Sequence, residues 1–310
     1  MFKACQTLVV TGIAIALSAC GAADKKKAAS GAAAVGGNFD IPSINFQLPS
    51  TQYGLDLAPN DDKLLDTEQR VNDRIDKLNA DMVKWKGEFT EVGTFTGKGP
   101  SNDKSGSLTK VSEGSYEYKL IVCEKGSLHM VVKWSEDGKN IYSWRDQRYK
   151  PEPEDSRVLM IFSETDAGKA LTQQFYGVKD KSPAGVDETS LADRFEAKQS
   201  AAGAFTFSGT EDWFSGTRTA GAADGYLVAS LDETGATGQF VNYRSGAPGC
   251  DASFTEATPN WCKANTVANS TATNADKATV WTALQALSLA VVPAASLEDP
   301  TVTETCPSAN

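Results

Sequence analysis

Histidine is nearly missing from this chain: His129 is the only one in 310 residues. A Ser-His-Asp site would have to use it, yet it sits in an alternating apolar run (SLHMVV) that reads as a strand, and no GxSxG turn occurs. Zinc lacks its usual ligands too, since there is no HExxH and no CxxC pair. GxxxxGK[ST] and GxGxxG are also absent, so nothing marks a nucleotide or dinucleotide cradle. Positive charge is in deficit, 30 Lys and Arg against 40 Asp and Glu, and the net charge of −10 repels nucleic acid. Nor is any apolar run long enough for the ~20 residues of a membrane-spanning helix. These absences predict no catalytic residues, no metal and no cofactor, and favour a protein that is not an enzyme.

The longest apolar run lies at the N-terminus. Leu8 to Leu17 (LVVTGIAIAL) follows the single positive charge of Lys3 and has the length of a signal-peptide core. Directly after it come Leu17-Ser18-Ala19-Cys20. This sequence resembles the lipobox of bacterial lipoproteins at each position: an apolar residue, two small ones and a cysteine. The resemblance covers the first twenty residues and implies cleavage between Ala19 and Cys20, with diacylglycerol and a further acyl chain, such as palmitate, on Cys20. Several acyl chains together hold a protein on a membrane, at about 0.8 kcal/mol per buried CH₂. Gly21 stands where lipoproteins kept in the inner membrane carry Asp, so the resemblance implies an outer-membrane address in the bacterial envelope. Loss of residues 1–19 removes Lys3 and no acid, which takes the net charge from −10 to −11. Residues 20–38, the lipidated cysteine and a small, polar, Gly-rich stretch, read as a flexible tether. Residues 39–310 are then one domain, with a subdivision near 178–202 as the variant.

Four cysteines remain beyond Cys5 and Cys20, and in an exported protein an even number suggests two disulfides. Three pairings are open. Cys250 with Cys262 is favoured because the residues between them are polar and loop-like, which leaves Cys123 with Cys306.

Hydrophobic spacing predicts a helix from Asn60 to Lys86, with Leu64, Val71, Ile75, Leu78, Met82 and Trp85 on one face. Short β-rich runs follow from Glu88 to about Glu164, divided by Gly-containing turns, as in a meander. A helix is expected over Ala167–Tyr176 and another after Ser190. Strands resume between Ala204 and Arg244, and a final helix is signalled by Thr273-x-x-Asp276 as a cap and carries Val280, Leu284, Leu287 and Val291. The class predicted is α+β: a curved, half-barrel-like antiparallel sheet packed against a long N-terminal amphipathic helix and one or two further helices. Its outline resembles half-barrel lipoprotein and lipid-carrier folds in which a helix plugs a concave sheet, although no motif carries that likeness.

Aromatic side chains are the candidates for recognition. Trp134, Tyr142 and Trp144 lie close along one hairpin, and Tyr142 and Trp144, two apart, share a face. Acidic pairs such as Glu211/Asp212 and the group Glu152, Glu154 and Asp155 raise a carboxylate-based hydrolase of envelope polymers as the alternative. The favoured expectation is a non-catalytic envelope lipoprotein, anchored in the membrane by lipid, that binds a partner protein, a cell-wall glycan or a lipid.

Overall fold

A computed structural model describes residues 39–50, 63–98, 104–146, 156–181, 188–215, 217–247, 250, 254–257, 259–268 and 271–307. Thirteen strands form one antiparallel sheet whose spatial order is the sequence order. They are β1 (Gly93–Lys98), β2 (Lys104–Glu113), β3 (Tyr116–Glu124), β4 (Ser127–Trp134), β5 (Asn140–Asp146), β6 (Ser156–Thr165) and β7 (Gly168–Lys181), then β8 (Glu188–Ser200), β9 (Phe205–Phe214), β10 (Gly225–Leu231), β11 (Thr237–Arg244), β12 (Lys263–Ala268) and β13 (Thr271–Asn274). Every strand pairs with its predecessor. The β3–β4 turn shows why the chain reverses there: Lys125 and Gly126 have φ of 49° and 80°, the doubly left-handed geometry of a two-residue hairpin turn.

This sheet corrects the α+β expectation. Helix is limited, among the described residues, to α1 (Lys63–Trp85), the short α2 (Lys277–Ala286) and one 3-10 turn at Ala294–Ser296, against thirteen strands. The segment expected as a helix over Ala167–Tyr176 is β7, and the one expected after Ser190 is β8. Leu171 and Phe175 fit a helical i, i+4 pair, but with Gln173 they also alternate, and pairing with β6 from Gly168 to Gly177 settles the choice. β7 and β8 pair from Gly168–Ser200 to Lys181–Glu188, with one irregularity between Val178 and Asp180. The final helix stops at Ala286, before Leu287 and Val291, and Ser288 adopts φ 60° immediately after it.

The two faces of the sheet bury different things. One face carries a row of facing residues, Leu120, Val132, Ser143, Met160, Gln173 and Phe195, from β3 to β8. α1 covers it with Leu64, Val71, Ile75, Leu78, Met82 and Trp85, all buried. The extended segment 39–48 lies beside α1 and adds Ile41, Ile44, Phe46 and Leu48 to the same core. Its backbone is read by two asparagines seven positions apart on the helix. Asn79 accepts from the Ile44 N–H at 2.8 Å and donates to its carbonyl at 2.9 Å, and Asn72 makes the equivalent pair with Leu48, both at 2.9 Å.

A charged cluster closes this interface. Arg74 makes a bidentate contact with Asp193, at 2.6 and 2.7 Å, and donates to Gln173 at 3.1 Å. Arg70 reaches Glu211 at 2.7 Å and Asp193 at 3.3 Å. Phe175 lies beneath the Arg74 guanidinium, 4.2 Å from it. Burial opposes the Arg70 charge, but Glu211, Asp193 and Asp66 outweigh it and raise its pKa further. Paired in this way, the buried carboxylates avoid the penalty of an isolated charge in low dielectric.

Candidate functional site

The opposite face of the sheet is built differently. Over β10 to β12 it is covered by α2 and an apolar cluster of Tyr226, Val228, Val241, Tyr243, Trp261 and Leu284. Phe254 stacks on Tyr226 at 4.1 Å, and the Cys250–Cys262 bond lies at the margin of the cluster. From Ser288 onward the chain leaves α2 and crosses this face from β9 to β3, outside any strand ladder. We call residues 288–306 the strap.

Side chains of the sheet hold the strap by its main chain. The Thr210 hydroxyl donates to the Val292 carbonyl, Arg218 donates to the Ala294 carbonyl at 2.8 Å, the Gln174 amide to the Glu298 carbonyl and the Trp144 indole to the Pro300 carbonyl. These donors come from β9, the segment after it, β7 and β5, so the strap runs roughly perpendicular to the strands. Cations then address its acidic side chains. Arg157 pairs with Asp299, Lys133 with Glu304 at 2.7 Å, and Arg218 stands 3.8 Å from Glu298. Burial works against the Lys133 charge, but Glu113 and Glu304 reverse the effect and raise its pKa. Glu304 is held below the usual carboxylate range because Lys133 outweighs its partial burial. At the far end, Cys306 is bonded to Cys123 of β3, with a Cα–Cα distance of 5.9 Å.

The candidate aromatics are divided between the faces. Trp134 faces Ile141 across the β4–β5 pair and points to the α1 side, stacked on Tyr118 at 5.5 Å. Tyr142 and Trp144 point the other way. Trp144 is buried under the strap, and Tyr142 lies 5.3 Å below the Lys133 ammonium with its pKa raised by burial and by Glu304. The adjacent acids Glu211 and Asp212 separate in the same manner, Glu211 to Arg70 under α1 and Asp212 to Arg218 at 3.1 Å under the strap. Glu152, Glu154 and Asp155 lie outside the described residues, as do Ala19 and Cys20.

Four strap-holding side chains, Gln174, Thr210, Arg157 and Arg218, carried no signal in the sequence. Arg157, Gln174 and Thr210 stand on three strands that the register of β6 to β9 brings together, and Arg218 follows β9. His129 is half-buried in β4, 4.0 Å from Glu124, and its pKa is pushed down to about 4 by burial and by Lys104 and Arg145. A shallow depression of about 220 Å³ at the β6–β7 and β8–β9 turns is lined by Glu164, Asp166, Lys169 and Gln199 among others. Among the described residues, no group of three His, Cys, Asp or Glu side chains is placed to hold a metal ion, and no helix is long and apolar enough to cross a membrane. Compared with known protein families, curated proteins and solved structures, the chain gives no significant match.

Proposed function

We propose that this chain is a lipid-anchored protein of the bacterial envelope, addressed to the outer membrane, which binds a partner without catalysis. The lipobox Leu17-Ser18-Ala19-Cys20 and the tether behind it support the anchor. The binding reading rests on one structural observation: a sheet face with donors and cations spread over many strands grips a length of polypeptide that belongs to no strand. Main-chain carbonyls read by side-chain donors, with charge pairs at intervals, are the elements of peptide recognition. Of the acidic residues that raised the hydrolase alternative, Glu211 is paired with Arg70 beneath α1 and Asp212 with Arg218 beneath the strap.

Cell fractionation tests the anchor. The wild-type chain is expected in the membrane fraction, and Cys20→Ser is expected to lose acylation and leave that fraction. Unchanged membrane association of Cys20→Ser would overturn the anchored reading.

A further inference from the structure

We infer that the strapped face is a groove for an extended acidic peptide of a partner protein, filled in this structure by the chain's own residues 288–306 and released to the partner when the Cys123–Cys306 bond opens. The inference deepens the binding reading above and rests on it.

Three features carry the argument. First, the groove recognises chemistry that a foreign peptide can supply. The donors of Thr210, Gln174 and Trp144 address carbonyls, which every peptide has, while Arg157 and Lys133 address carboxylates at strap positions 299 and 304. An extended segment with acids at similar intervals would meet the same partners. Second, the strap contributes nothing to the strand ladder. All thirteen strands pair without it, so it can lift while the backbone hydrogen bonds of the sheet stay in place. Third, the strap is fixed at both ends, by α2 at one and by the cystine at the other. A tethered segment competes at an effective concentration on the order of millimolar, which excludes a free peptide of equal affinity. Opening the cystine frees one end and lowers that barrier.

The opening step is a two-electron exchange with an external dithiol. Cys123 is fully buried while Cys306 is partly exposed, so the incoming thiolate attacks the Cys306 sulfur. The Cys123–Cys306 bond breaks as the mixed disulfide on Cys306 forms, and Cys123 leaves as a thiolate and takes up a proton. The second thiol of the dithiol then displaces Cys306, which is protonated in turn. The dithiol ends as a disulfide, and the protein has gained two electrons and two protons.

The test uses the full chain and a labelled probe peptide of residues 290–307 with Ser in place of Cys306. One chain is wild type and oxidised. The other carries Cys123→Ser and Cys306→Ser together with Glu298→Lys, Asp299→Lys and Glu304→Lys, so its own strap is unhooked and repelled. Fluorescence anisotropy is expected to show no probe binding to the first and binding to the second with a Kd below about 100 μM. A probe bearing the same three lysines is expected to bind at least about tenfold more weakly, the sum of three partly exposed ion pairs. Absence of binding by a variant that keeps its β circular dichroism overturns the proposal, as does equal binding of the two probes. Hydrogen exchange of the wild-type chain with and without dithiothreitol covers the case in which the variant does not fold. Amides of 296–305 are expected to exchange about a hundredfold faster on reduction while those of β3 to β9 hold, and joint opening of strap and strands overturns the proposal. Fractionation of Cys20→Ser reads the anchor independently, so failure of the groove and failure of the anchor give different results.

Discussion

Asp193 shows how much a single side chain carries here. It is completely buried and held by two guanidiniums from α1, one of them bidentate. Arg74→Ala removes that bidentate contact, the bond to Gln173 and the cover over Phe175. Breaking a buried pair by deleting one partner costs about 3–5 kcal/mol, so the urea midpoint of this variant should fall by a corresponding amount. Gly209 lies directly under the Phe195 ring, where an added Cβ would overlap the ring carbons. Gly209→Ala is therefore expected to destabilise by about 1–3 kcal/mol through overpacking, measured in the same assay. His129 gives a pH dependence. Its folded pKa of about 4 lies below the ordinary 6.5, so between these values the unfolded chain binds the extra proton. Its contribution is intact above pH ~6.5 and falls on acidification towards pH ~4, by at most about 3 kcal/mol. A His129→Gln chain should show a flatter acid limb in stability-versus-pH curves, and an unchanged limb would show that another group governs it.

At the scale of elements, segment 39–48 depends on α1 more than on the sheet. Asn72→Ala and Asn79→Ala each strip two partners from the backbone of Leu48 and Ile44 respectively. Each loss should cost about 1–3 kcal/mol, and amide exchange in 41–48 should quicken before that of β4 or β9. Local pattern located many strands well: β4 occupies Ser127–Trp134, the span that alternation and the flanking turns mark in the sequence. The same rule failed for β7 and β8, because Leu171/Phe175 and Leu191/Phe195 satisfy helical and strand spacing alike. Only long-range pairing, Gln173 with Met160 and Phe195, distinguishes the two periods. The candidate site was less legible still. Tyr142 and Trp144 share a face as their spacing requires, but the face assigned to Trp134 depends on a register that no turn residue reveals. The donors that grip the strap belong to strands far apart in the chain, and their chemistry has meaning only once a distant segment lies across them.

For the molecule as a whole, the two disulfides differ mainly in the length of chain they close. Cys250–Cys262 spans a separation of 12 residues and Cys123–Cys306 one of 183. In the chain-entropy account these correspond to roughly 3 and 5 kcal/mol. Thermal unfolding of Cys250→Ser/Cys262→Ser and Cys123→Ser/Cys306→Ser should accordingly show the larger drop in Tm for the second pair, and the reverse order would place the main constraint at the aromatic cluster. The meander has a further consequence for how the protein is made. Because every strand pairs with the one before it, a chain emerging N-terminus first can add each strand to a sheet already present, with no wait for distant partners. The strap departs from this order, and its cysteine joins a strand completed long before. A chain interrupted short of residue 306 has no Cys306 to bond Cys123, so this bond forms only once synthesis has passed that point.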